Sequence, residues 1–304
     1  MITRYDYQGA TWIDVEAPSP DEIEEVNKEF SLGPLLAEEL LGPTLKPHVD
    51  LYSEFAYAVL HFPAIRHTRG GTTAQEVDII IGKQFIITVH YEPVSALHEF
   101  ARTVEAATLL KRSTGTLHSG HILFEIVQRL YRGVENELEA IEDTVERIEG
   151  DIFSGHEHEM VPAISGISKE LLLHKRTLGT HRETLESLEQ AGVQLFGENF
   201  RNHLRGIAAL HFRLYNRVIG FLDTATELRN TNDSLLSTRQ NEIMKNLTIM
   251  AFVTFPLTLL AALFGMNTVY TPVLGMPHDF WVIVGTMALV MGLFFSYFKK
   301  RKWL

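Results

Sequence analysis

The sequence contains no cysteine, and its first 244 residues are poor in positive charge. Without Cys, the chain can hold neither a disulfide framework nor a Cys-based zinc or iron–sulfur site. Residues 1–244 carry 22 Lys and Arg against 37 Asp and Glu, and this net charge of −15 disfavours non-specific binding to nucleic acid. The phosphate loop Gly-x-x-x-x-Gly-Lys and the motifs Gly-x-Ser-x-Gly and His-Glu-x-x-His are also missing. We therefore expect no enzyme and no small organic substrate.

Charge is absent from two long apolar runs near the C-terminus. Residues 247–266 read LTIMAFVTFPLTLLAALFGM, and residues 280–298 read FWVIVGTMALVMGLFFSYF. Each run has roughly the 20 residues that an α-helix needs to cross the hydrocarbon core of a bilayer. Pro256 lies inside the first run, where a transmembrane helix tolerates proline if its neighbours satisfy the freed carbonyl. The sequence therefore predicts two transmembrane helices embedded in a lipid bilayer.

A basic cluster follows the second run directly, whereas the loop 267–279 contains no Lys or Arg. The cluster consists of Lys299, Lys300, Arg301 and Lys302. Because cytoplasmic segments are enriched in Lys and Arg, this asymmetry predicts a cytoplasmic C-terminus. Because two spans return the chain to its starting side, the N-terminus is expected to be cytoplasmic as well. The expected location is the inner (plasma) membrane. Binding of anionic lipid by the cluster, or a part in gating, is a secondary interpretation.

The segment before the membrane mixes strand and helix signals. Strands are predicted at 10–15 and 54–62, and a hairpin over 76–90 turns at Gly82-Lys83. A helix is predicted to start at Ser19, because a Ser cap, a following Pro and a Glu three residues on are typical of helix N-termini. These elements predict a small domain of both strands and helices.

Long helix-forming stretches follow this domain. They cover 117–150 and 160–192, and a third begins near Asn199 and continues into the first apolar run. The predicted fold class is an α+β cytoplasmic domain (α/β/α-like), followed by a long helical stalk and two C-terminal transmembrane helices. The predicted division is 1–112 for the α+β domain, 113–246 for the stalk region and 247–304 for the membrane domain, with spans at 247–266 and 280–298, an outer loop at 267–279 and a basic tail at 299–304.

Small and polar residues recur along one face of the first span. They are spaced alternately three and four residues apart, which keeps them on one side of a helix. The set is Asn241, Met244, Thr248, Ala251, Phe255, Thr258 and Ala262. Such a stripe has two interpretations, close helix–helix packing through small residues or the wall of a pore. Two helices cannot enclose a hydrated path, so a pore requires a symmetric ring of subunits.

The segment from Asn241 to Asn267 reads NEIMKNLTIMAFVTFPLTLLAALFGMN, and the chain ends in FKKRKWL. Gly265-Met266-Asn267 lies at the end of the first of two C-terminal spans. From the residues alone, these three would be a helix C-cap, since Gly and Asn tolerate a left-handed backbone. In this position, however, the sequence resembles the CorA-type magnesium and cobalt transporters, a two-span family with a Gly-Met-Asn signature. The resemblance covers essentially the whole chain.

The resemblance implies a homopentameric funnel whose first spans line a central pore. Gly265, Met266 and Asn267 would form the selectivity filter, with Asn267 holding a hydrated ion. Met244 and Leu247 would form an apolar constriction. The pore-lining positions that it implies are Asn241, Met244, Leu247, Thr248, Ala251, Phe255 and Thr258.

The resemblance also implies a cytosolic regulatory metal site. In the family, an acidic residue of the α+β domain is paired with an Asp on the stalk of a neighbouring subunit. Glu39, with Glu38 beside it, matches the first position, whereas 202–206 offers no carboxylate for the second. A solvated helix face is the alternative interpretation of Glu38 and Glu39. The segment His156-Glu157-His158-Glu159 lacks the spacing of a helical metal pair and is not interpreted as a site.

The function expected from these features is passive transport of Mg²⁺ across the membrane through the central pore. Co²⁺ and Ni²⁺ are further candidate ions, and Mg²⁺ is also the candidate regulatory ion. One alternative is a Zn²⁺ transporter of the same superfamily, possibly coupled to protons. The other is a membrane-anchored metal sensor or scaffold that does not conduct.

Overall fold

A computed structural model describes residues 1–7, 9–63, 74–109, 118–266, 275 and 278–301. It divides the chain into two compact units, Met1–Arg229 and Asn230–Leu304.

A six-stranded mixed sheet forms the centre of the first unit. Its strands are β1 (Ile2–Tyr7), β2 (Ala10–Glu16), β3 (His48–Leu51), β4 (Phe55–Pro63), β5 (Ala74–Gly82) and β6 (Phe85–His90), in the spatial order β1-β2-β6-β5-β4-β3. All neighbours are antiparallel except β2 and β6, which are parallel. The predicted hairpin is confirmed, since β5 and β6 pair antiparallel with Ile80 opposite Ile87. Both residues are fully buried, as their β-branched runs indicate.

Helices cover both faces of this sheet. Helix α1 (Pro20–Phe30) and helix α2 (Pro34–Glu39) pack their apolar side chains into the main core cluster with β2, β4 and β6. The predicted helix start is confirmed, because Ser19 and Glu22 form a reciprocal capping box. Helix α3 (Ser95–Leu109) contacts the other side, where the Phe100 ring lies 4.9 Å from that of Trp12. The layers are those of an α/β/α arrangement.

Three long helices complete the first unit before the chain reaches the apolar runs. They are α4 (Ser119–Phe153), α5 (Glu157–Gly179) and α6 (His181–Phe196), and a 3-10 turn (Glu198–Phe200) leads into α7 (Arg201–Phe264). The sequence predicted one stretch over 160–192, and this is wrong at Thr180, where α5 ends and α6 begins. Gly179 lowers helix propensity there, and the Thr180 hydroxyl donates to the Thr177 carbonyl, so the side chain competes with the backbone ladder.

The second unit contains the C-terminal part of α7 and helix α8 (Asp279–Lys300). Both helices are long and apolar enough to cross a membrane. They touch through Phe252 of α7 and Phe298 of α8, whose ring centroids are 6.4 Å apart. Among the described residues of the two apolar runs, Ile249 and Phe298 are buried, whereas most of the other apolar side chains are exposed. Exposed apolar surface of this extent suits contact with lipid or with further copies of the chain.

One buried histidine makes the first unit sensitive to acid. His181 is fully buried, and burial lowers its pKa to about 3. Its Nε2 donates to the His61 carbonyl at 2.6 Å, and its Nδ1 accepts from the Tyr131 hydroxyl at 2.6 Å. Both ring nitrogens are therefore used by the neutral imidazole, and a second proton would break the bond from Tyr131.

We predict that the free energy of unfolding falls as pH drops from about 6.5 towards 3. The unfolded chain binds a proton at His181 in this range and the folded chain does not, so stability increases with pH there. At pH 4.5 this one group costs about 3 kcal/mol relative to pH 7.5. The measurement is urea unfolding of the full-length protein in detergent at both pH values, for wild type and for His181→Gln. The variant should show a smaller loss; equal losses in the two proteins would contradict the assignment.

Candidate ion pathway

The striped face of α7 points away from α8. Met244, Leu247 and Phe255 are 60%, 54% and 72% exposed, and Asn241 and Thr258 are exposed as well. Thr248 and Ala251 are half-buried. The contact with α8 is made instead by the face that carries Ile249 and Phe252. Among the described residues, most of the stripe is therefore left uncovered by α8 of the same chain.

Two threonine hydroxyls on this face have their protons committed to the backbone. Thr248 Oγ1 donates to the Met244 carbonyl at 2.7 Å, and Thr258 Oγ1 donates to the Thr254 carbonyl at 2.9 Å. Each oxygen therefore presents lone pairs, and not a hydrogen, on its outward side. A hydrated cation points the hydrogens of its water shell outwards, so these oxygens can accept from that shell. The same oxygens have no donor to offer an anion.

Gly265 terminates the first apolar helix. Its N–H donates to the Ala261 carbonyl at 2.9 Å, and the Met266 N–H donates to the Leu263 carbonyl at 3.4 Å. Gly265 itself does not take the left-handed conformation of a C-cap, because its φ lies outside that range. A Cβ at this position would lie 3.1 Å from the Ala261 carbonyl oxygen one turn earlier, which is a tight contact. Asn267, the third signature residue, lies outside the described residues.

Glu39, the candidate regulatory residue, ends α2 and is half-buried. The nearest partner of its carboxylate is an imidazole, with His48 Nε2 at 3.5 Å from Glu39 Oε1. Within the described ranges, no three His, Cys, Asp or Glu side chains are grouped to hold a metal ion, and those ranges include residues 156–159. A regulatory metal at Glu39 would therefore need further ligands, beyond those that the described residues of one chain place around it.

A family model described as CorA-like Mg²⁺ transporter protein matches residues 7–300. The chain belongs to the CorA family. The cobalt/magnesium transport protein CorA of Thermotoga maritima is 24% identical over 97% of this chain and 83% of its own length. The zinc transport protein ZntB of Pectobacterium atrosepticum is 20% identical over 96% of this chain and 88% of its own length.

The fold comparison agrees with this assignment. The complete structure of the CorA magnesium transporter from Methanocaldococcus jannaschii matches with a TM-score of 0.84 and 20% identity, covering 97% of this chain and 92% of that one. The predicted fold class is thereby confirmed, while the number of subunits stays a prediction. CorA proteins transport divalent metal ions and are not enzymes, so this protein is a divalent-metal transporter. The family name alone does not fix the ion, because relatives are named for different metals.

The basic cluster of this CorA-family chain ends α8. Lys299 and Lys300 form its last exposed turn, and the Arg301 guanidinium lies 5.9 Å from the centre of the Tyr297 ring. Lys302 lies outside the described residues. Cations at a helix C-terminus are favoured by the helix dipole, so these residues stabilise the end of α8 in addition to any effect on topology.

The close approach at Gly265 can be tested by substitution. Gly265→Ala places a methyl group 3.1 Å from a backbone oxygen that cannot move aside cheaply. We expect the end of α7 to shift and divalent-ion uptake to fall by about tenfold, because small displacements of a positioned site have large kinetic effects. Uptake is measured with a Mg²⁺-sensitive dye in proteoliposomes.

Gly292→Ala on α8 is the matched control, because a Cβ at Gly292 meets no atom within 4 Å. Its uptake should equal that of wild type. Equal uptake by Gly265→Ala would show that the close approach at Gly265 has no role in transport.

Proposed function

We propose that this protein is a passive Mg²⁺ channel whose pore is lined by α7 from each subunit of a homopentamer. One observation supports this above the others: the small and polar face of α7 is turned away from α8 and carries hydroxyl oxygens that act as acceptors. A membrane helix with such a face needs either polar partners or water. A ring of α7 helices around a hydrated axis supplies both.

An apolar groove on α7 supports assembly from several copies. It has a volume of about 630 Å³ and is lined by Phe252, Phe255, Pro256 and Leu259, together with the half-buried Thr248 and Ala251. Small residues beside a groove allow the close approach of a second membrane helix. The occupant that we propose for the side of the groove formed by Phe252, Pro256 and Leu259 is a helix of a neighbouring copy, while Thr248, Ala251 and Phe255 on its other side remain on the proposed pore face. The number five rests on the family resemblance.

Asn267 would hold the ion at the outer mouth, with Gly265 and Met266 shaping the turn before it. Mg²⁺ loses its water reluctantly, so it is best recognised with its shell intact. Neutral amide oxygens can accept from that shell, whereas a ring of carboxylates would hold the ion more tightly and slow its exit. A second polar ring at Asn241 would face the cytoplasmic end.

Met244 and Leu247 would form the gate between these polar rings. Both side chains are more than half exposed on the proposed pore face. A narrow apolar ring can close a pore by excluding water. The driving force would be the membrane potential, which supplies about 2.3 kcal/mol per charge for each 100 mV. The termini would be cytoplasmic in an inner membrane, as the basic cluster of Lys299, Lys300, Arg301 and Lys302 indicates.

The donor set favours Mg²⁺ over Zn²⁺. Residues 241–267 contain Asn and Thr oxygens but no His and no Cys. Oxygen ligands suit Mg²⁺, whereas imidazole and thiolate suit Zn²⁺. The alternative, Zn²⁺ transport, is supported by the relationship to ZntB along nearly the whole chain. Co²⁺ and Ni²⁺ would permeate as hydrated ions of similar charge and size. A regulatory Mg²⁺ at Glu39 would require a ligand from another subunit.

The test is rescue of a bacterial strain that lacks Mg²⁺ transport. Wild type should restore growth at low Mg²⁺, and Asn267→Ala should not, because the ring of amide oxygens is lost. Asn246→Ala is the matched control, since Asn246 is exposed on α7 but lies off the stripe.

Membrane expression of all three proteins is checked by immunoblotting. Failure of wild type to rescue growth despite normal expression would reject Mg²⁺ influx. Rescue by Asn267→Ala would reject the selectivity filter.

A further inference from the structure

His48 on β3 lies beside two carboxylates. Its Nδ1 is 3.1 Å from the Lys46 carbonyl oxygen, which can only accept, so Nδ1 carries the hydrogen of the neutral ring. The lone pair of the ring is then on Nε2, which lies 3.5 Å from Glu39 Oε1 and 3.7 Å from Asp50 Oδ2. A neutral imidazole and two ionised carboxylates thus bring lone pairs towards one another with no hydrogen between them.

The charge of these two carboxylates is not neutralised by a basic side chain in the described part of the chain. No Lys or Arg of that part comes within salt-bridge distance of Glu39 or Asp50, and His48 is the neighbour of both. Burial, and then the charges of Asp50 and Glu39, raise the pKa of the Tyr52 hydroxyl, so both carboxylates act on the same region. Uncompensated negative charge of this kind attracts a cation.

The distances at His48 fit a metal ion better than a shared proton. Where another histidine forms a hydrogen bond with a carboxylate, as His98 Nε2 does with Glu16 Oε2, the two atoms are 3.1 Å apart. The separations at His48 are longer than the usual range of about 2.7–3.2 Å for a hydrogen bond. Two ligands of a tetrahedral ion, with bonds of about 2.0–2.2 Å, lie about 3.3–3.6 Å apart, and the distance of 3.5 Å from His48 to Glu39 is in this range.

The donor atoms indicate the class of metal. Imidazole nitrogen together with carboxylate oxygen suits Zn²⁺, Co²⁺ and Ni²⁺, whereas Mg²⁺ takes oxygen ligands in an octahedron whose neighbouring corners are about 2.9 Å apart. A histidine that binds a metal generally donates its other N–H to a carbonyl or carboxylate, as His48 does to Lys46. The regulatory Mg²⁺ that the family resemblance implies at Glu39 therefore does not fit these residues.

We propose that Glu39 and His48 bind a transition-metal ion of the Zn²⁺, Co²⁺ and Ni²⁺ class within one subunit. The described residues do not close a site of three ligands as they stand. Asp50 is 57% exposed on an edge strand, so its side chain can rotate to complete the site, and water takes the remaining position. The inference rests on the proposed regulatory role of Glu39 for its consequence, which is that a transition metal and not Mg²⁺ is the cytosolic regulator.

Cobalt provides a direct readout, because four-coordinate Co²⁺ absorbs visible light much more strongly than the six-coordinate hydrated ion. The full-length protein in detergent, stripped of metal with a chelator, is titrated with Co²⁺. Wild type should give a saturable visible band, and Zn²⁺ should displace the Co²⁺ from its ligands. A large excess of Mg²⁺ should leave the band unchanged. Absence of the band in wild type, or its loss on addition of Mg²⁺, would overturn the proposal.

Variants assign the band to the named residues. His48→Gln should weaken Co²⁺ binding by at least about tenfold, since the loss of a ligand costs no less than the loss of its supporting hydrogen bond. His98→Gln is the matched control, because it removes a histidine that contacts one carboxylate only, and it should keep the wild-type affinity. If His48→Gln does not fold, Asp50→Ala at an exposed position still decides, because it should weaken binding too. Unchanged Co²⁺ affinity in either variant would refute the site.

This titration is independent of ion flux, so its failure is distinguishable from failure of the proposed function. If liposomes with wild-type protein take up no Mg²⁺, the Mg²⁺ channel is rejected and the metal site stands. If the band keeps its affinity in His48→Gln, the metal site is rejected and the channel stands.

Discussion

A membrane-spanning helix must satisfy its polar groups without help from the lipid, and this constraint organises the second unit. Helix α7 satisfies its own backbone, and Thr248 and Thr258 pass their hydroxyl protons to carbonyls one turn earlier. What remains on its outward face is a row of acceptors and small side chains. Lipid tails cannot form hydrogen bonds with these acceptors, and α8 leaves most of them uncovered. Neighbouring copies and a hydrated axis would satisfy these groups, and for that reason we propose both assembly and conduction through this one helix face.

In the first unit, by contrast, several polar groups are buried among apolar side chains. His181 is kept neutral mainly by burial, with a smaller contribution from the neighbouring His211, and these lower its pKa even though its hydrogen bond to the His61 carbonyl acts in the opposite direction. Asp78 is fully buried on β5, where desolvation raises the pKa of its carboxyl group, and the Tyr91 hydroxyl donates to it at 3.0 Å. Pairing is not complete among the described residues, since Asp78 Oδ1 and His174 Nε2 are among the buried atoms without a hydrogen-bond partner.

The sequence predicted those elements whose signal is local and strong. The two apolar runs, the capping box at Ser19 and the β5–β6 hairpin all depend on residues close together in the chain. Strands β1 and β3 and helices α2 and α3 were missed. The polar segment of β1 (ITRYDY) and the four residues of β3 are edge strands, which pair with one neighbour only and need little apolar surface.

The same distinction between local and long-range signals applies to the candidate site. The stripe on α7 follows from helical spacing, so the sequence could list its members. Which of its members are exposed depends on three-dimensional packing, which helical spacing does not give. Contacts between residues far apart in the chain, such as that of Phe252 with Phe298, have no local signal and appear only in the fold.

The most direct test of the account is ion flux into liposomes that contain the purified protein. Mg²⁺ uptake should follow an imposed inside-negative potential, should persist without a pH gradient and should exceed Zn²⁺ uptake under the same conditions. That result is expected if hydrated cations move passively along the acceptor face of α7. Zn²⁺ uptake that requires a proton gradient, with no Mg²⁺ uptake driven by the potential, would contradict the central claim.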